Sequence, residues 1–230
     1  MKNPFRSDTW NHFSKIAYGF STVDDCCSDS QKEDMSSFML EFDGVGEPVL
    51  LQQIHSNIVL NVNESFNTKA LMKADGFITN LPDLILTIKT ADCVPVLIYD
   101  PANNVIGAVH SGWRGTKDQI TSNAISLMNK TYGTIVENVE VIMGPAIKSC
   151  CYEIQDDVVS LFNHYPDSVV LRNGSTYLEQ KKAIRYDLEN LGVYKITDID
   201  FCTGCRPDLL CSWRKQKTEK RLYSSIMLRS

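Results

Sequence analysis

Three residues of this chain carry side chains suited to metal or nucleophilic chemistry: His55, Cys93 and His110. Each lies at the edge of a strand-like apolar run, where a side chain is held rigidly yet can reach a cleft. His55 ends Pro48-Val49-Leu50-Leu51-Gln52-Gln53-Ile54-His55. Cys93 closes Thr90-Ala91-Asp92-Cys93 between two such runs, and His110 ends Val105-Ile106-Gly107-Ala108-Val109-His110. Two imidazoles and one thiolate are protein ligands of the kind found in catalytic zinc sites, which keep a fourth position for water. Zinc there lowers the pKa of that water and makes hydroxide available near neutrality. The same three groups also suit a cysteine nucleophile served by a histidine base. Their sequence separations match no zinc finger, so such a site has to be assembled by tertiary structure. Taken singly, a cysteine in an apolar stretch reads as a buried small hydrophobe, and a histidine at a strand end as a structural or surface residue.

The segment after His110 shifts that balance. Ser111-Gly112-Trp113-Arg114-Gly115-Thr116 leads into a helix expected to begin near Thr116. Its glycines allow close backbone approach to a ligand. N–H groups at a helix start favour anions, and Arg114 can add a bidentate contact to phosphate. Ser111, Gly112 and Arg114 are the candidate substrate-binding residues.

Strands and helices have to position these groups. Residues 48–55, 76–79, 84–89, 94–99 and 105–109 read as strands, by alternation or by short apolar runs between turn signals. Residues 116–129 read as a helix with Ile120, Ala124, Leu127 and Met128 on one face. Residues 139–143 form a further strand stopped by Gly144-Pro145. Two more helices are expected over 155–163 and 178–191, the second ended by Gly192. Residues 198–228 read as strands and loops, and the polar stretch 23–34 as a surface loop. Helices interspersed with mixed strands give an α+β fold, one domain over 1–230 with mixed β-sheets packed against helices.

Composition narrows the function classes. The 230 residues are 43% hydrophobic and 22% charged, values of an ordinary soluble globular protein. A chain of this size can bury about 70% of its surface on folding, so no staples are needed. The net charge of −5 excludes the basic footprint of a nucleic-acid binder. Eight cysteines fall below the density of a disulfide scaffold. Residues 1–20 contain no secretory apolar run, and no stretch reaches the length of a membrane span. A cytoplasmic protein with reduced thiols is expected.

The remaining cysteines and histidines receive lesser roles. Cys202-Thr203-Gly204-Cys205 is a C-x-x-C with Cys211 nearby. A structural zinc needs a fourth ligand, which the sequence does not reveal, so no metal is expected there. Cys150 and Cys151 are adjacent, and a strand would send them to opposite faces, one of them toward the cleft. His12 and His164, in polar surroundings, read as surface residues.

Along most of its length the chain resembles the laccase-domain family, also called multicopper polyphenol oxidase-like or peptidoglycan editing factor, of the purine nucleoside phosphorylase type. Six motifs in order carry the resemblance: Gly19-Phe20-Ser21-Thr22, Gln52-Gln53-Ile54-His55, Ala74-Asp75-Gly76, Thr90-Ala91-Asp92-Cys93-Val94-Pro95-Val96, Gly107-Ala108-Val109-His110-Ser111-Gly112-Trp113-Arg114-Gly115, and Gly144-Pro145-Ala146-Ile147 with Cys150-Cys151-Tyr152-Glu153. The resemblance implies that His55, Cys93 and His110 are both metal ligands and catalytic centre, with zinc as the usual metal and copper in some members. It implies phosphorolysis of adenosine, inosine, guanosine and methylthioadenosine, with phosphate as co-substrate, and hydrolytic deamination of adenosine. It also implies a fold similar to that of cysteine-dependent toxin deamidases. A Cys–His hydrolase or amidase acting on peptidoglycan precursors, and a copper phenol oxidase, remain alternatives. Four histidines are too few for a multicopper centre. The chain departs from the family at Tyr18 and Val23, at Asp24-Asp25-Cys26-Cys27, at Ser212-Trp213-Arg214-Lys215 and at Thr218-Glu219-Lys220-Arg221. Substrate preference shifts if those segments shape the pocket.

Overall fold

The computed structural model of the chain describes residues 8–25, 27–28, 47–67 and 70–230. The two most apolar runs become β9 (Val94–Asp100) and β10 (Val105–Ser111), both buried at every residue. Continuous apolar runs demand this of strands covered on both faces. They form an antiparallel hairpin with Val105 opposite Asp100 and Ser111 opposite Val94. The Asp100 carboxylate builds the turn by accepting from the N–H groups of Ala102 and Asn103 and from Asn103 Nδ2.

A six-stranded mixed sheet grows around this hairpin, in the order β15 (Lys195–Asp198), β11 (Glu140–Met143), β9, β10, β7 (Gly76–Thr79), β5 (Val59–Asn61). A second mixed sheet runs β1 (Ile16–Phe20), β16 (Lys220–Leu228), β8 (Leu84–Thr90), β3 (Glu47–Val49), with β2 (Cys27–Ser28) also on β16. Smaller sheets pair β4 (Leu51–Gln52) with β6 (Met72–Lys73), and β12 (Glu153–Ile154) with β14 (Ser175–Leu178) and β13 (Val169–Arg172). The described helices are α1 (Trp113–Lys117), α2 (Ile120–Tyr132), α3 (Asp156–Phe162), α4 (Gln180–Leu191) and α5 (Trp213–Gln216).

Period-two alternation sorts the large sheet into two cores. Val94, Val96 and Ile98 of β9 and Val109 of β10 pack with Ile120, Ala124 and Met128 of α2 and with Ile184 and Leu188 of α4. Leu97 and Tyr99 of β9 and Ile106 and Ala108 of β10 pack on the other side, against Phe20, Leu86, Ile88 and Ile226 of the second sheet. The result is three layers, helices on sheet on sheet, and the expected α+β class with mixed sheets against helices is what the chain adopts. Among the described residues no helix is long and apolar enough to cross a membrane.

Three local expectations are corrected. The strand over 48–55 stops at Val49, resumes for Leu51–Gln52 and ends there. The N–H groups of Ile54, His55 and Ser56 leave the ladder to bond the carboxylate of Asp75. The helix over 116–129 is two helices. α1 starts three residues earlier, and Gln119 turns left-handed (φ 55°) before α2 begins. The Gln119 amide then donates to Asp187 of α4 at 3.1 Å, which anchors the break. Cys150 and Cys151 lie in a helical turn rather than a strand, with the N–H groups of Cys151 and Tyr152 both donating to the Lys148 carbonyl. Of the polar stretch 23–34, residues 26 and 29–34 lie outside the described residues. Val23–Asp25 is a single 3-10 turn.

Candidate active site

The hairpin register is what joins two of the three donors. Ser111 faces Val94, so one step further along the hairpin brings Cys93 beside Gly112. The Cys93 sulfur would lie 3.2 Å from a Cβ on Gly112, and His55 Cδ2 3.0 Å from it. Glycine is therefore what lets the His55 ring and the Cys93 thiol meet over the backbone. Cys93 itself occupies the short link that carries the chain from β8 in one sheet to β9 in the other.

The third donor arrives through Asp75, which is fully buried just before β7. β7 pairs Gly76 with Val109, and the His110 N–H donates to the Asp75 carbonyl at 2.7 Å. The His110 Nδ1 lies 2.8 Å from Asp75 Oδ1. That carboxylate also accepts from the N–H groups of Ile54, His55 and Ser56 and from the Ser56 hydroxyl, at 3.2, 2.9, 2.6 and 2.7 Å. One carboxylate thus orients His110 and holds His55 in a left-handed conformation (φ 58°), which a residue with a Cβ rarely adopts unaided. Gln53 completes the mount. Its amide donates to the Lys89 carbonyl and accepts from the Lys89 N–H, at 2.7 and 2.8 Å.

The His55, Cys93 and His110 ligand atoms lie within 4.8 Å of one another. The two imidazoles are edge-to-face with ring centroids 4.8 Å apart. Electrostatics follow from this packing. Burial alone would raise the Asp75 carboxyl, but hydrogen bonds from His110 and Ser56 outweigh it and hold the group at about 2. Burial would also raise the Cys93 thiol, yet the charge and hydrogen bond of His110, with help from His55, pull it to about 6. Burial lowers His110, but the Cys93 thiolate and Asp75 override it and raise the group to about 9. Without a metal, Cys93 and His110 form a thiolate–imidazolium pair at neutral pH. A cation at these donors displaces the His110 proton. The donor set fits a metal: two imidazoles, a thiol already poised to ionise, and a carboxylate behind one imidazole in the manner of metal-bound histidines.

All three donors line a cavity of about 720 Å³, a size typical of small-molecule sites. Its walls carry four aromatic rings (Trp113, Tyr152, Trp213, Tyr223) and four cations (Lys89, Arg114, Arg214, Arg221), with Asp92 as an acidic group. Asp92 is committed to the wall. It accepts from the Thr203 hydroxyl at 2.6 Å and from the Arg214 N–H at 2.8 Å. Of the candidate substrate-binding residues, Arg114 lines the cavity, with its guanidinium 4.3 Å from the centre of the Trp113 ring. Ser111 turns away. Its hydroxyl pairs with Thr116 Oγ1 at 2.7 Å, and its carbonyl accepts from Gln180 at 2.6 Å. Gly112 contributes space for the donors.

Sequence reasoning missed Asp75 as a working residue, although an acid between apolar Ala74 and the strand from Gly76 was a usable signal. The segments that depart from the family pattern do shape the pocket, through Trp213, Arg214 and Arg221, which sequence reasoning did not single out.

Comparison with known proteins agrees with the resemblance carried by the six motifs. The pattern of the family described as multi-copper polyphenol oxidoreductase laccase matches residues 10–229. A purine nucleoside phosphorylase of Clostridium acetobutylicum is 35% identical over 182 residues, covering 77% of this chain and 75% of that protein. An adenosine deaminase from an unknown prokaryotic organism is 30% identical over 182 residues, covering 73% and 69%. The solved structure of the Bacillus licheniformis hypothetical protein YfiH superposes with a TM-score of 0.84 at 26% identity, over 99% of this chain and 100% of that one. With its pattern matched over nearly the whole length and its fold shared, the chain belongs to the multi-copper polyphenol oxidoreductase laccase family.

Proposed function

We propose that this protein is a zinc enzyme of purine nucleoside metabolism. It cleaves adenosine, inosine, guanosine and methylthioadenosine by phosphorolysis and deaminates adenosine by hydrolysis. The observation that carries this reading is the cavity itself, with His55, Cys93 and His110 on one wall and flat rings and cations on the others. Zinc held by these donors supplies Lewis acidity and an activated water near neutral pH. The chain's own residues do the rest. Trp113, Tyr152 and Trp213 offer surfaces on which a purine stacks. Arg114 holds the phosphate whose oxygen bonds to C1′ as the bond from C1′ to the base breaks. In deamination the oxygen of water is added at C6 and ammonia leaves, with no phosphate needed. Asp75 keeps His110 in one tautomer, with Nδ1 turned to the carboxylate.

Relatives named purine nucleoside phosphorylase and adenosine deaminase support the substrate class. A working thiol at Cys93 supports a compartment where thiols stay reduced, and our reading assigns the enzyme to the cytoplasm as one domain over residues 1–230. A multicopper centre does not fit the side chains. The two histidines outside the site, His12 and His164, lie tilted against Phe13 and Tyr165 elsewhere, so further coppers would lack imidazoles.

The test is an assay of adenosine and inosine with and without phosphate, read by product identity. Free base with ribose 1-phosphate is expected only when phosphate is present, and inosine with ammonia from adenosine without it. A Cys93→Ala protein with full activity overturns the reading. A second reading, a Cys–His hydrolase, is favoured by one observation: Asp75, His110 and Cys93 stand in the order of a hydrolytic triad. Amidase activity on peptidoglycan precursors that survives metal removal would establish it instead.

A further inference from the structure

Outside the cavity walls, four cysteines converge that the proposed reaction does not use. Cys150 and Cys151 come from the turn before β12, and Cys202 and Cys205 from the loop after β15. Their four sulfurs lie within 4.8 Å of one another. Cys150 and Cys151 approach the Cys205 sulfur to 3.4 and 3.5 Å. These separations are far longer than the roughly 2.05 Å of a disulfide. They are close to the edges, about 3.8 Å, of a tetrahedron of sulfurs around zinc at Zn–S bonds of about 2.3 Å. We propose that Cys150, Cys151, Cys202 and Cys205 form a second metal site, a structural tetrathiolate zinc centre that clamps one wall of the cavity.

The backbone is shaped for it. The Lys148 carbonyl accepts from both Cys151 and Tyr152, at 2.8 and 2.9 Å, so the two adjacent cysteines sit on a tight turn and can face the same side. The Cys205 N–H donates to the Cys202 carbonyl at 3.2 Å, closing the C-x-x-C turn. A Cβ on Gly204 would lie 3.0 Å from both Cβ and Sγ of Cys151, so glycine is what admits Cys151 to the cluster. The two segments are already joined by a parallel bridge between Ala146 and Cys202 and by the Lys148–Asp200 ion pair. Four thiolates and no carboxylate form a soft donor set, which among common divalent ions suits zinc and closes all four positions. Binding takes up one Zn²⁺ and releases the thiol protons, with no oxidant or reductant involved.

The clamp reaches the candidate active site through two short paths. Thr203, inside the C-x-x-C, donates to Asp92, the neighbour of Cys93. Tyr152, next to Cys151, lines the cavity.

The experiment uses the purified full-length chain and does not depend on nucleoside turnover. Elemental analysis of wild type should give two zinc ions per chain. A variant with Cys93→Ser and His110→Ala should retain one, and the Cys202→Ser and Cys205→Ser double variant should also retain one, with lowered thermal stability. If the double variant fails to fold, cobalt(II) loaded into the Cys93→Ser and His110→Ala protein gives the readout. The intense thiolate-to-cobalt absorption of a four-sulfur site is expected, together with protection of all four cysteines from iodoacetamide. The proposal fails if that variant holds no stoichiometric metal. It also fails if peptide mapping finds a disulfide among the four, or if they alkylate as free thiols in the native protein.

Discussion

At the scale of single residues, Asp75 carries more of the site than any ligand. Its carboxylate is the common acceptor for the His110 ring, three consecutive N–H groups and the Ser56 hydroxyl. Asp75→Asn keeps the shape but replaces an acceptor oxygen with a donor, leaving part of that set without a partner. Metal affinity should fall roughly 10–100-fold, the usual cost of losing a carboxylate behind a ligating histidine. Competition against a zinc chelator measures it, and unchanged affinity would remove Asp75 from its role. Cys93 offers a pH prediction. In metal-stripped protein its thiol is lowered from 9.0 to about 6, chiefly by His110. Only the thiolate alkylates, so iodoacetamide labelling should rise with pH through a midpoint near 6. His110→Ala should move that midpoint upward. A wild-type midpoint near 9 would show that the imidazolium does not face the thiol. None of this was legible from His55, Cys93 and His110 alone. Their residue types suggested the chemistry, but the acid that organises them is linked to them only in space.

At the scale of elements, the β9–β10 hairpin and the start of α1 decide the geometry. The antiparallel register converts a long sequence separation between Cys93 and His110 into adjacency, and β7 delivers Asp75 to the same rung. The expected strands 94–99 and 105–109 were placed correctly because apolar runs between turn signals are a strong local cue. The end of β4 and the break between α1 and α2 were not. Both depend on partners distant in sequence, Asp75 in the first case and Asp187 in the second. At the junction of β10 and α1, Gly112→Ala places a methyl group 3.0 Å from the His55 ring and 3.2 Å from the Cys93 sulfur. The fold should persist, because His55 is exposed and can yield. Zinc affinity should drop about tenfold as the donors are pushed apart, on the order of 1–2 kcal/mol as for other overpacked sites. Titration of the variant with zinc checks it, and wild-type affinity would mean that the donors have more freedom than the packing implies.

At the scale of the whole molecule, the site sits where two sheets and the helical layer meet. His55, Cys93 and His110 come from three separate segments, so the proposed metal would bind the folded chain and find no preformed site in the unfolded one. Chelation of the Cys202→Ser and Cys205→Ser protein, which keeps only these donors, should therefore lower Tm, on the order of 10 °C for free zinc well above Kd in a chain of this size. Calorimetry before and after chelation tests this, and an unchanged Tm would argue that the donors bind no metal. The sequence by itself determined the α+β class with mixed sheets against helices and the central strands, and it singled out the three candidate donors, because hydrophobic periodicity and residue chemistry are local properties. It also carried the family, through six short motifs in order. Tertiary structure alone decided that Asp75 joins His55 to His110, that Trp213, Arg214 and Arg221 line the cavity wall, and that four scattered cysteines form one cluster. The physical reason is the same in each case. These are contacts between side chains far apart in the chain, set by strand register and sheet packing, and no local pattern of residues records which partner a side chain will meet.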